Sequence, residues 1–99
     1  MSEWTVELGS AAKKQYKKLK RSGSKKPSIA DMTDYLVLDL QKLGPYVAEW
    51  PHYSPLGKET FHCHLRRGHP TYVACWKIVD KEHKQIEVYY VGTHQNAPY

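Results

Sequence analysis

The chain opens on a short alternation. In EWTVEL, Trp4, Val6 and Leu8 fall on one side and Glu3, Thr5 and Glu7 on the other, the period-2 pattern of a strand with one buried face. Gly9 interrupts it, and Ser10 offers a helix N-cap. In AAKKQYKKLKRSGS, Ala12, Tyr16 and Leu19 share one narrow stripe of a helix that Gly23 is suited to stop. A second helix is written more plainly. Ile29, Met32, Leu36, Leu40 and Leu43 recur at helical spacing, Ser28 and Asp31 have the separation of a capping box, and Gly44-Pro45 ends the segment. This helix is expected to be the main packing partner of a sheet.

YVAEWPHYSPLGKET, with two prolines and a glycine, reads as a loop or short extended link. Three strand patterns follow. FHCHL sets Phe61, Cys63 and Leu65 against His62 and His64; YVACWKIVD (Tyr72–Asp80) is apolar on both faces, as a central strand would be; IEVYYVGT is the last, its strand running Ile86–Val91 before Gly92, Thr93 and His94 break the pattern. The short polar turns RRGHPT and KEHKQ join them into an antiparallel meander. The order β-α-α-β-β-β predicts a single α+β domain spanning residues 1–99, with two helices on one face of a four-stranded, mainly antiparallel sheet. If Phe61, Cys63 and Leu65 face the helices, His62 and His64 point to the other, partly open face.

Charge sharpens this outline. The 99 residues, enough for one core, carry a net charge of +5, and eight of the fifteen Lys and Arg lie between Ser10 and Lys26, where there is no acid. A solvated helix face usually mixes signs. Lys13, Lys14, Lys17, Lys18, Lys20 and Arg21 therefore read as a phosphate-contacting face, salt-dependent and indifferent to nucleotide sequence. The apolar stripe of that helix is too narrow for a membrane surface. No run has the layout of a signal peptide or the ~20 apolar residues of a membrane span, so a cytoplasmic protein is expected. Cys63 and Cys75, inside apolar strands, read as buried thiols, with a bridge between neighbouring strands as the alternative.

The candidate chemistry centres on histidine. His62 and His64 project side by side from one strand, about 7 Å apart at the backbone. They can be solvent-facing surface residues, two ligands of a zinc site short of a third partner, or proton-transfer and phosphate-contact groups. The cations Lys58, Arg66 and Arg67 beside them favour neutral imidazole. His94, just past the last strand, can approach the pair if that strand pairs suitably. Tyr53, Tyr89, Tyr90 and Tyr99 are aromatics on which unpaired bases can stack, although Tyr89 and Tyr90 should alternate faces, putting one in the core. There is no phosphate-cradling glycine loop, nucleophile elbow, HExxH or zinc-spaced cysteine pair.

Taken together, the element order, the tail VYYVGTHQNAPY and the segment PLGKETFHCHL resemble the RelE/ParE toxins of bacterial type II toxin–antitoxin systems, in particular the RelE-type and YafQ-type branch. In the tail of those toxins a V-G or T-G step precedes a basic residue or histidine, with an aromatic shortly after. The resemblance covers essentially the whole chain. It implies a ribosome-dependent endoribonuclease that needs no cofactor, cuts mRNA in the decoding site of the small subunit by 2′-hydroxyl attack on the adjacent phosphate, and is silenced by a cognate antitoxin that also sets its oligomeric state. His94 would be the general acid, His62 and His64 base or phosphate contacts, and Tyr99 the terminal aromatic. Arg66, Arg67 and Lys58 would stabilise charge, and Lys13 to Arg21 would dock ribosomal RNA. Two features depart from the RelE pattern. Val73 stands where those toxins carry a third-strand arginine, and Tyr99 follows His94 one residue sooner. The alternatives are a ParE-like inhibitor of DNA gyrase with the same fold, and a non-catalytic basic module that binds RNA or an acidic protein.

Overall fold

The computed structural model describes residues 3–22 and 27–99, so Gly23, Lys25 and Lys26 of the basic segment lie outside the described residues. Strand β1 (Thr5–Leu8) leads into helix α1 (Ser10–Ser22) and helix α2 (Ile29–Leu43). Strands β2 (Ser54–Gly57), β3 (Thr60–Arg66), β4 (Tyr72–Asp80) and β5 (Gln85–Thr93) follow, and a 3-10 turn, His94–Asn96, begins the tail. The strands form one five-stranded sheet in the order β1-β5-β4-β3-β2. β1 runs parallel to β5, and the remaining neighbours are antiparallel.

The α+β layout holds, with one strand more than expected. β2 lies in the stretch that reads as a link. Its Pro55 cannot donate to a ladder, which argues against a strand except at a sheet edge. β2 is that edge. β4 sits in the middle, consistent with its apolar character on both faces: Val73, Ala74, Cys75 and Trp76 are all fully buried.

The core lies between the sheet and the two helices. Leu36 and Leu40 of α2 and Ala12 of α1 meet Phe61, Cys63, Leu65, Ala74, Trp76, Ile86 and Val88, with Trp4, Val6 and Leu8 packed at its margin. α2 begins with a complete capping box: the Ser28 hydroxyl accepts from the Asp31 N–H at 3.0 Å, and the Asp31 carboxylate accepts from the Ser28 N–H at 3.0 Å. At its other end Gly44, with φ 85, donates its N–H to the Leu40 carbonyl at 2.9 Å. A side chain there would also meet the Trp4 indole at 2.8 Å, so glycine is required twice over.

The buried face of α2 runs through Ile29, Ala30, Thr33, Leu36 and Leu40. It reaches Thr33 because the hydroxyl is satisfied by the Ile29 carbonyl at 2.9 Å. Leu43, read as the end of the apolar face, is 66 % exposed. α1 starts at Ser10 itself, with the Gly9 carbonyl accepting the first helical bond from Lys13 N–H at 2.8 Å, so Ser10 is not the cap. Among the described residues no helix is long and apolar enough to cross a membrane.

Candidate active site

The open face of the sheet is built by register. Phe61, Cys63 and Leu65 belong to the helix-side core, so the intervening His62 and His64 project from the opposite face. His62 stands beside Cys75 and His64 beside Val73 on β4, and Val73 pairs in turn with Gly92 on β5. β5 therefore ends next to the histidines. The strand continues through Gly92 and Thr93, beyond Val91 where the apolar pattern stops. Gly92 is demanded by its neighbour: an added Cβ would lie 2.7 Å from the Tyr90 hydroxyl, which donates to the Thr93 carbonyl at 2.7 Å.

His94 then opens the 3-10 turn. Its N–H donates to the Thr71 carbonyl at 2.8 Å, and its carbonyl accepts from the Ala97 N–H at 3.2 Å. These bonds fold the tail back across the sheet. The His94 and His64 rings are 5.5 Å apart between centroids, and the Tyr99 ring lies 4.6 Å from His62 and 5.9 Å from His94. His62 and His64 are 6.0 Å apart. The three histidines and the tyrosine singled out in the sequence thus form one contiguous cluster.

A fourth histidine joins them from the segment read as a link. His52 stacks on His64 at 4.2 Å with the rings 24° from parallel. It does so from a left-handed backbone conformation, φ 55, which is uncommon for a residue with a side chain. The loop is tied down by the two residues just before His52. The Pro51 carbonyl accepts the His64 N–H at 2.8 Å, and the Trp50 indole donates to Asp39 of α2 at 2.8 Å. The pairing of Ser54 with His62, extended by two residues, brings His52 opposite His64. That signal becomes readable only once β2 is recognised as a strand.

The cations divide. Arg67 is close enough to His64 for its charge to disfavour the imidazolium. Arg66 follows a register shift after His64 and donates through its guanidinium to the Pro27 carbonyl, next to the start of α2. Its charge is engaged there, not at the histidines. Lys58 is exposed in the turn between β2 and β3. Lys13, Lys14, Lys17, Lys18, Lys20 and Arg21 are all exposed on α1, and α1 lies on the helix-covered side of the sheet. The basic face and the histidine cluster consequently belong to different surfaces.

The tyrosines divide as well. Tyr53 is held in an aromatic stack, 6.1 Å from Phe61 and 6.2 Å from Trp76, so it serves the core and not a base-stacking surface. Tyr89 and Tyr90 do not alternate into the core as the strand period suggests. A register shift between Cys75 and Trp76 lets β5 fit an extra residue there. Cys75 pairs with Tyr90, its sulfur accepts from the Tyr89 hydroxyl, and neither tyrosine belongs to the helix-side core. Tyr99 completes this aromatic cover on the open face.

Burial sets the protonation pattern. His62 and His64 are both held below the ordinary histidine range, first by loss of solvation and then by neighbouring charge; in His62 a hydrogen bond to the Ser54 backbone acts in the opposite direction. The Tyr99 hydroxyl is pushed up to about 12, chiefly by burial, and stays protonated at neutral pH. Cys63 and Cys75 are free, buried thiols on opposite faces of the sheet, both raised by loss of solvation. Among the described residues no three His, Cys, Asp or Glu side chains converge to hold a metal ion.

A cleft of about 720 Å³ opens between β1, α1 and α2, lined by residues that include Val6, Lys13, Tyr16, Asp34 and Leu38. It shares no residue with the histidine cluster. The cluster is the better candidate for chemistry because it gathers His62 and His64, both biased toward neutral imidazole, with Arg67 and the exposed His52, His94 and Tyr99. Comparison of the chain with models of known families, with curated proteins and with solved structures found no match.

Proposed function

We propose that the chain is a toxin of the RelE type, an endoribonuclease that cuts mRNA on the ribosome. The observation that carries this reading is the convergence of His52, His62, His64 and His94 with Tyr99 on the open face, with ring centroids 4.2 Å to 6.0 Å apart for the neighbouring pairs. Cleavage by a ribose 2′-hydroxyl needs a proton acceptor, a proton donor for the leaving oxygen, and groups that stabilise charge on the phosphate. Neutral His62 and His64 suit the first task and phosphate contact. The exposed His94 suits the second, and Arg67 the third. Tyr99, protonated and aromatic, can donate to the phosphate or stack on a base.

His52, His94 and Tyr99 are exposed, so the cluster reaches the surface, which fits an enzyme whose substrate is held by the ribosome. Free RNA is accordingly a poor substrate in this reading. The lysines of α1, on the other side of the sheet, would grip ribosomal RNA, and the cognate antitoxin would be an acidic protein. His94→Gln tests the mechanism. Expressed in cells, the wild type is expected to arrest growth and leave transcripts cut within codons, mapped by primer extension, whereas the variant should do neither. Undiminished cleavage by His94→Gln would sink the mechanism. A DNA-damage response without cut transcripts would point instead to a gyrase inhibitor of similar fold, and harmless expression to a binding module.

A further inference from the structure

A neutral imidazole carries one proton, and the nitrogen that holds it decides whether the other donates or accepts. In His62, Nδ1 lies 3.3 Å from the Ser54 carbonyl oxygen and 3.2 Å from the Ser54 hydroxyl. The carbonyl only accepts, and the hydroxyl can accept as well as donate, so a proton on Nδ1 suits both Ser54 oxygens, whereas a lone pair there would face that of the carbonyl; the geometry favours the proton on Nδ1 and the free lone pair on Nε2. In His64 the situation is reversed. Its Nδ1 is buried and has no hydrogen-bond partner among the described residues. A buried N–H without an acceptor is rarer and costlier than an unused lone pair, which favours Nε2 as the place of the His64 proton.

We propose that His62 is the general base of this site, held in its accepting tautomer by Ser54, and that His64 is a neutral hydrogen-bond donor to the phosphate. The inference rests on the reading of the cluster as an RNA-cleaving site. His62 Nε2 takes the proton of the ribose 2′-hydroxyl. The 2′-oxygen forms a bond to the adjacent phosphorus, and the bond from phosphorus to the 5′-oxygen breaks. That oxygen leaves with a proton from the His94 imidazolium, giving a 2′,3′-cyclic phosphate and a 5′-hydroxyl. His62 ends protonated and His94 neutral, and no further reactant is consumed.

The two strand histidines differ in what a second proton would do. Imidazolium at His62 keeps its bond to Ser54. Imidazolium at His64 would bury an unpaired N–H, so His64 is poorly placed to accept a proton. Ser54 is a positioning residue here, because it acts through the ring it holds. The Tyr99 ring must give way or stack against the substrate, since it lies 4.6 Å from His62 and that residue is only 9 % exposed.

Long-range ¹H–¹⁵N correlation spectra of the labelled full chain, taken at about pH 8 where unprotonated imidazole dominates, read the tautomers directly. The expected pattern is Nδ1–H for His62 and Nε2–H for His64, assigned by loss of each pattern in His62→Gln and His64→Gln. The reverse pattern overturns the inference whatever the protein's activity. Ribosome-dependent cleavage supplies the second reading. Glutamine places an amide N–H near the Nε2 position, so His64→Gln should cleave within about tenfold of wild type, whereas His62→Gln should lose about 10²-fold or more. Retention of the His64 pattern in the His62→Gln spectrum verifies that this variant is folded. Equal losses in the two variants refute the division of roles. A wild type that does not cut mRNA on ribosomes refutes the toxin reading, and with it the base role, while the tautomers still stand or fall on the spectra.

Discussion

At the scale of single residues, protonation links the cluster to stability. His62 and His64 sit below the ordinary value of 6.5 when folded, mainly because of burial. Above that value both folded and unfolded chains hold neutral rings, and folding loses nothing. As pH falls from 6.5 through the lowered folded values, the unfolded chain takes up protons that the folded one refuses, so stability declines. Urea midpoints at about pH 7.5 and about pH 5.5, either side of the histidine range, should show a lower midpoint at the more acid pH. The drop should shrink in the double variant His62→Asn, His64→Gln; a midpoint that does not move with pH contradicts the assignment. Gly92 gives a second prediction. A Cβ there meets the Tyr90 ring and hydroxyl at 2.9 Å and 2.7 Å. Gly92→Ala should therefore cost about 1–3 kcal/mol, as overpacking does, and should perturb the tail that carries His94. Denaturant titration measures the first effect and the chemical shifts of His94 the second.

At the scale of elements, each piece owes its position to a different kind of signal. α2 is set by local chemistry: a capping box, a helical stripe and a glycine that alone fits its end. Ser28→Ala removes the bond from the Asp31 N–H and should destabilise the chain by about 1 kcal/mol, seen as a fall in the thermal midpoint with the helix still formed. β3, β4 and β5 follow from their hydrophobic pattern, and β4 from burial on both faces. β2 has no such signal. It is a four-residue edge containing proline, and it is a strand because β3 offers it a ladder. Recognising it matters for the site, because that hairpin carries His52 to His64 and the Ser54 carbonyl to His62. The bulge opposite Cys75 acts in the same way, turning two consecutive tyrosines toward one face where the strand period alone separates them.

At the scale of the whole molecule, the sheet divides the labour. One face builds the core with α1 and α2, and α1 turns its lysines outward. The other face gathers the histidines under the folded-back tail. If the chain is the proposed ribosome-dependent nuclease, docking through α1 should therefore be separable from cleavage. Replacing Lys13, Lys14, Lys17 and Lys18 with glutamine should weaken ribosome binding and flatten its dependence on salt. The log–log slope should change by roughly 0.7–0.9 for each phosphate that the helix no longer neutralises. The single-turnover cleavage rate of saturated complexes should stay near the wild-type value. A matching fall in that rate would mean that the helix reaches the scissile strand.

Most of what depends on neighbours along the chain was legible in the amino-acid order alone, the start of α1 at Ser10 being an exception. Both helices, the capping box, three of the five strands and the short β1 could be read there, as could the localised charge and three histidines with a terminal tyrosine worth attention. Each of those signals is local, because helical and strand periodicity, capping and charge density are properties of short segments. Whatever depends on register between segments came with the fold. Strand pairing placed His94 and Tyr99 over His62 and His64, brought in His52, gave Arg66 to Pro27 and left Arg67 beside His64, and moved Tyr53 into the core. It also set His62 Nδ1 against Ser54 and left His64 Nδ1 buried without a partner among the described residues. Side chains distant along the chain meet only through strand pairing and packing, and a shift of one residue in that pairing sends them to the other face.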